Sequence, residues 1–220
     1  MALQPGPNRD DIRERSGEQV MYDVNFYRSM PDEFVSSSSG GGGVSTNATG
    51  AIVDPGTASG DTAAVIGPGY IGGFSRWSPP VATLRIWYSM YPGTSPTDNP
   101  TYIGFLEGEG AKRAALDITN GRFETDDGTT SSISFDTGSE NIFYLEVTMD
   151  AWSQTADFYV EDIGGKDEGD VAEASLSGVT PDVYGNGSPI TVCYTESGGS
   201  DEANPVIHRA RLEHKNTGEQ

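Results

Sequence analysis

NIFYLEVTMDAWSQTADFYVED, residues 141–162, reads as one long β-hairpin at the centre of a sheet. Phe143, Leu145, Val147 and Met149 alternate with Ile142, Tyr144, Glu146 and Thr148, so one strand face is continuously apolar and the other mixed. After a turn at Asp150-Ala151-Trp152-Ser153 the same rhythm returns, with Ala156, Phe158, Val160 and Asp162 alternating against Thr155, Asp157, Tyr159 and Glu161. A hairpin with one buried side needs a second layer against it.

Outward from the hairpin, short apolar runs are separated by Gly, Pro, Asp and Asn, and no segment shows a helical period. The pattern predicts strands near 51–53, 62–66, 70–75, 81–91, 101–106, 112–119, 122–124, 131–135, 141–149, 154–161, 171–176, 189–195 and 205–214. Tyr22, Val24 and Phe26 suggest an earlier strand, and Phe34-Val35 opens another. A dozen short strands with turns this frequent specify an antiparallel sandwich or barrel. The most apolar run, ATLRIWYSMY (82–91), places Leu84, Ile86, Tyr88 and Met90 on one side and Thr83, Arg85, Trp87 and Ser89 on the other. SSSSGGGG (36–43) is low-complexity and is expected to be a flexible loop. The organisation expected is an extended N-terminal arm over 1–19, one domain over 20–214 and a tail over 215–220.

The chain has 33 acidic and 13 basic residues, a formal net charge of −20, and only three lysines. Such a surface suits molar salt, where the Debye length falls to about 3 Å and self-repulsion is screened. It excludes a nucleic-acid partner, which requires clustered Lys and Arg, and disfavours an anionic membrane surface. Residues 35–205 hold 24 of the acidic groups and six of the basic ones, so the ends are nearly neutral beside the body. Cys193, the single cysteine, lies in a strand-like run and is expected to be a small buried hydrophobe. The opening MALQPGPNRDDIRERSGEQ has no apolar core of the secretory kind, and no run approaches the roughly 20 apolar residues of a membrane span.

The succession TLRIWYSMY, YIGFLE, KRAALDITNGRF, the hairpin and a closing VIHRARLEH resembles the concanavalin A-like or laminin G-like jelly roll over residues 21–214. Phe143-Tyr144-Leu145 and Phe158-Tyr159-Val160 match the aromatic strands of that family's middle hairpin. The resemblance implies an all-β, antiparallel two-sheet jelly-roll β-sandwich. It does not imply one function, because the scaffold hosts lectins, glycosidases, adhesion modules and virion proteins.

No residue set fixes a chemistry. A glycosidase on this fold needs paired carboxylates, and Glu107 with Glu109 or Glu124 with Asp126 lie beside glycine or turn residues, which reads as solvated loop acids. His208 and His214 are expected to be strand-packed and hydrogen-bonded. Asp126, Asp127, Asp167 and Asp170 supply loop oxygens hard enough for Ca2+, without reproducing an established calcium loop. Trp77, Trp87, Tyr91 and Trp152 are the candidate glycan or interface contacts, Trp87 because it falls on the less apolar face of its strand and Trp152 because it sits in the hairpin turn. Asn47-Ala48-Thr49 and Asn186-Gly187-Ser188 are glycosylation sequons, the second followed by Pro189.

A jelly roll with no visible export signal, no catalytic set and a brine-adapted surface leads to the expectation of a non-enzymatic virion protein of a halophilic archaeal virus. It would decorate the capsid, turret or tail as a homo-oligomer, made in the host cytoplasm and docked to other virion proteins by its arm. The alternative is a carbohydrate-binding module for host surface glycans.

Overall fold

The computed structural model describes residues 18–26, 34–38, 43–54, 62–68, 81–95, 100–107, 111–150, 153–165, 167–179, 190–196 and 204–215. Residues 1–17 of the expected 1–19 arm, the strand expected at 70–75, Trp77, Trp152, Glu109 and Asn186 lie outside them, as do the side chains of Glu107 and His214; Glu18 and Gln19 belong to a strand and not to the arm.

Alternating apolar positions fold into strands that form two antiparallel sheets. One sheet runs in the order β13 (Val171–Ser177), β12 (Thr155–Gly164), β11 (Ile142–Asp150), β6 (Val81–Met90), β15 (Pro205–Lys215), β4 (Ala51–Asp54) and β3 (Gly43–Thr46), with β1 (Glu18–Asn25) also paired to β15. The other runs β10 (Thr130–Ser132), β9 (Arg122–Thr125), β8 (Ala111–Asp117), β7 (Thr101–Glu107), β14 (Ile190–Glu196), β5 (Thr62–Pro68) and β2 (Phe34–Ser38). The two-layer antiparallel sandwich expected from the alternation is the architecture found. The quoted hairpin is β11 and β12, joined by a four-residue loop with Asp150 opposite Thr155. It does not occupy the middle of its sheet, where β6 and β15 lie, because β6 pairs with β11 on one edge and β15 on the other.

The apolar halves of both strands of the hairpin face the second sheet. Phe143, Leu145, Val147, Phe158 and Val160 join Leu84, Ile86, Tyr88 and Met90, and they meet Ile103, Phe105, Leu116, Phe123 and Val192 from β7, β8, β9 and β14. Phe123 and Phe158 stack across the layers with centroids 4.8 Å apart. Cys193 is fully buried as expected, and burial pushes its thiol well above the ordinary range.

Two further expectations are corrected. SSSSGGGG is not one loop: Ser36–Ser38 pair with β5, and Gly43 opens β3, because the backbone ladder outweighs low side-chain complexity. Glu124 is not a solvated loop acid; it is 5% exposed on β9 and receives the Arg122 guanidinium at 3.1 Å. Asp162, on the apolar side of β12, is fully buried and accepts from Asn141 Nδ2 at 2.7 Å and from the Gly164 N–H at 3.0 Å, which replaces its lost hydration.

His208 sits where β15 slips register by one residue against β6, between Ile207 and Arg209. Its Nδ1 faces the Thr49 carbonyl, so that nitrogen donates, and Nε2 lies 2.9 Å from Ser89 Oγ. Burial holds its imidazole below the ordinary range, against the Thr49 hydrogen bond, which raises it. A depressed folded value means the unfolded chain binds the proton first, so this contribution is complete above about pH 6.5 and is lost as pH falls below that. Urea midpoints at constant molar salt will fall from pH 7.5 to pH 5 more steeply in wild type than in His208→Gln, by at most about 1.4 kcal/mol per pH unit. Identical slopes would contradict this assignment.

Candidate functional site

Register places the mixed faces of β13, β12, β11, β6, β15 and β1 on one outward surface. Glu173, Tyr159, Glu146, Arg85, Arg211 and Asp23 follow one another across it as a row. Beside this run Val171, Glu161, Tyr144, Trp87, Arg209 and Asn25 on one side and Ser175, Asp157, Thr148, Thr83 and Glu213 on the other.

Cross-strand neighbours lie about 5 Å apart, so opposite charges and aromatic rings in a row meet directly. Arg85 Nε donates to Glu146 Oε2 at 2.8 Å, and the same guanidinium bonds Glu213, which also receives Arg211. Arg209 grips both oxygens of Asp23, at 2.8 and 2.6 Å. Its guanidinium carbon lies 4.9 Å from the centroid of Trp87. Trp87 is followed by Tyr144 at 5.0 Å and Tyr144 by Tyr159 at 6.0 Å, the latter pair edge to face. Tyr144 donates to Glu146 at 2.5 Å and Tyr159 to Glu161 at 2.7 Å.

At the β11–β13 side the surface sinks into an open depression of about 450 Å³. Glu146, Thr148, Asp157, Phe158, Tyr159, Glu173, Ala174 and Ser175 line it. Ala174 and Ser175 are short, and the longer Tyr159, Glu146 and Glu173 form its wall. The Tyr159 phenol, three carboxylates and the Thr148 and Ser175 hydroxyls therefore converge, with no cation among the lining residues. Such a surface accepts hydrogen bonds from a polyhydroxylated ligand and offers one ring to an apolar sugar face. The volume falls in the range of about 300 to 1,000 Å³ typical of small-molecule sites.

Of the four sequence candidates, Trp87 lies on this face as expected, half-buried, with Arg209 over its ring and Tyr144 beside it. Tyr91 is 41% exposed beyond the end of β6, four residues from Trp87, and does not line the depression. Tyr144, Tyr159, Glu146, Asp157 and Glu173 were missed. The period-two alternation of residues 142–161 already places the first four on one side; the neighbour relation of β6 to β11 is what composition does not show.

The calcium candidates separate. Asp126 and Asp127 form the β9–β10 turn, where Asp127 accepts from the Thr129 N–H at 2.9 Å and lies against Gly178, past the end of β13. Asp167 and Asp170 form the turn before β13. Seven strand residues, about 20 Å, part the two pairs. Among the described residues no three His, Cys, Asp or Glu side chains are grouped to hold a metal. The hydrogen bond from Thr129 holds the Asp127 carboxyl below its ordinary value.

No protein-family model and no curated protein matches the sequence. Solved structures do match the fold. Arcelin-5, a lectin-like defense protein of Phaseolus vulgaris, superposes with a TM-score of 0.61 at 7% identity, over 91% of this chain and 100% of that one. Peanut lectin in complex with a nine-residue peptide gives 0.60 at 10% identity, over 89% and 97%. The exoplasmic/lumenal domain of VIP36, in its Ca2+/Man3GlcNAc-bound form, gives 0.56 at 8% identity, over 90% of both.

The hydrogen bond from Tyr159 to Glu161, with burial second, lifts the Tyr159 phenol to about 12. Glu161→Gln removes the charged acceptor, and difference absorbance at the phenolate band will then show one tyrosine titrating closer to pH 10. An unchanged titration would mean that Glu161 does not hold this ring. The fold is that of the legume-lectin, concanavalin A-like sandwich.

Proposed function

We propose that the chain is a non-catalytic saccharide-binding module whose ligand sits in the depression on β11, β12 and β13. The observation behind this reading is the convergence of Tyr159 with Glu146, Asp157, Glu173, Thr148 and Ser175 around one open volume. A sugar ring stacks on Tyr159, and its hydroxyls donate to the carboxylates, which in their ionised form accept and do not donate. Trp87 and Tyr144 extend the aromatic row and hold Tyr159 from its edge. Glu146 is already bonded to Arg85 and Tyr144, which fixes it in place for a binding role. The fold's likeness to lectins supports the reading.

Glycan-array binding in molar salt tests it. Wild type binds a defined set of neutral glycans; Tyr159→Ala weakens binding at least roughly tenfold, about 1.4 kcal/mol, and Asp157→Asn weakens it with the fold intact. Array-wide silence of wild type, or equal binding by both variants, would overturn the proposal.

The net charge of −20 favours a second, compatible reading. The module is a copy-repeated component of a virion surface exposed to brine, and the host glycan is what the particle docks on. Light scattering in molar salt then shows a homo-oligomer, and a monomer at all concentrations would remove it.

A further inference from the structure

The turn between β3 and β4 holds the sequon Asn47-Ala48-Thr49, which the binding face leaves unused. Its geometry is specific. Asn47 Oδ1 accepts three hydrogen bonds, from the Thr49 N–H at 2.7 Å, the Thr49 hydroxyl at 2.6 Å and the Gly50 N–H at 3.0 Å. Two of these donors are backbone amides, which cannot accept, so the atom they address is the oxygen and not Nδ2. The amide nitrogen makes no hydrogen bond among the described residues. Ala48 and Thr49 are exposed at the hairpin tip.

The turn is also fixed from beneath. The Thr49 carbonyl meets His208 Nδ1, and Gly50 lies so close to β15 that a Cβ there would stand 2.5 Å from the Ile207 carbonyl oxygen. The closing Asn47 N–H to Gly50 carbonyl bond is 3.0 Å. Asn47 is half-buried beside the exposed tip, and every bond that shapes the turn is made through Oδ1 or the main chain, which leaves Nδ2 outside them.

We infer that Asn47 is an N-glycan acceptor, modified by an oligosaccharide delivered from a lipid-pyrophosphate donor. In the transfer, Asn47 Nδ2 forms a bond to C1 of the first sugar while the C1–O bond to the pyrophosphate breaks. The leaving lipid pyrophosphate keeps the bonding electron pair, and one Nδ2 proton passes to base. Oδ1 and its three hydrogen bonds are untouched, so the modified chain keeps the same turn. The glycan leaves from the β3–β4 edge of its sheet, four strand spacings or about 19 Å across from β12, so the depression stays open.

The test is expression of the full chain behind a cleavable export signal in a eukaryotic secretory host. The peptide containing Asn47 is analysed by mass spectrometry before and after peptide N-glycosidase treatment in heavy-oxygen water. Asn47 is expected to be occupied in most molecules. Thr49→Ala, which leaves the two backbone bonds to Oδ1 in place, abolishes occupancy, and Thr49→Ser retains part of it. Melting curves of the glycosylated wild type and the unglycosylated Thr49→Ser fraction superimpose. An unmodified Asn47 in folded, exported protein overturns the inference, and so does occupancy that survives in Thr49→Ala. A glycan confined to Asn186 overturns it equally.

Discussion

The register between β6 and β11 is the constraint on which the rest of the molecule depends. With Leu145 opposite Ile86, Glu146 falls opposite Arg85 and Tyr144 opposite Trp87. A slip of one residue would turn every core side chain of β11 to water and drive Glu146 and Tyr144 into the space between the sheets. The magnitudes rank the causes. Each large apolar side chain sealed between the layers contributes on the order of 1.5 to 3 kcal/mol, whereas an ion pair such as Arg85–Glu146, whose partners keep 25% and 31% of their side-chain surface in solvent, contributes about 1 kcal/mol or less. The core therefore sets the register, and the ladder on the outer face follows from it.

The same pairing fixes both ends of the hairpin. Asn141 and Asp162 bound the quoted stretch, and they bond each other where β11 meets β12 at a register shift. Asn141 also stands where a side chain on Gly165 would have to go, so that glycine, at φ +148, is set by close approach as well as by backbone shape. The buried carboxylate is thereby part of the architecture.

Much of this was legible beforehand because a period of two is a local property. Residues 142–161 announce their inner and outer faces, and ATLRIWYSMY does the same for β6. What stays hidden depends on neighbours distant in sequence. Nothing in the composition of residues 36–43 shows that β5 lies within reach of Ser36–Ser38, and nothing around Glu124 shows that it lies between Ala115 of β8 and Thr130 of β10. The aromatic row was half visible: Trp87 stood out by residue type, while Tyr144 and Tyr159 became site residues only once β6, β11 and β12 were known to lie side by side.

Charge is divided across this outer face. Arg85, Arg209 and Arg211 stand on β6 and β15 among Asp23, Glu146 and Glu213, and the only charged residues that line the depression beyond them are carboxylates. High ionic strength damps the mutual repulsion of those acids over distances beyond about 3 Å but leaves contact hydrogen bonds in force. In the proposed reading the acidic depression works as a set of acceptors. The central claim is that this outer face, and not the loops at the ends of the sandwich, holds the ligand. The most direct measurement is an amide and side-chain NMR titration with a neutral oligosaccharide in molar salt. The account predicts that shifts centre on Glu146, Asp157, Tyr159, Glu173 and Ser175; shifts confined to the connecting loops, with those five residues unmoved, would contradict it.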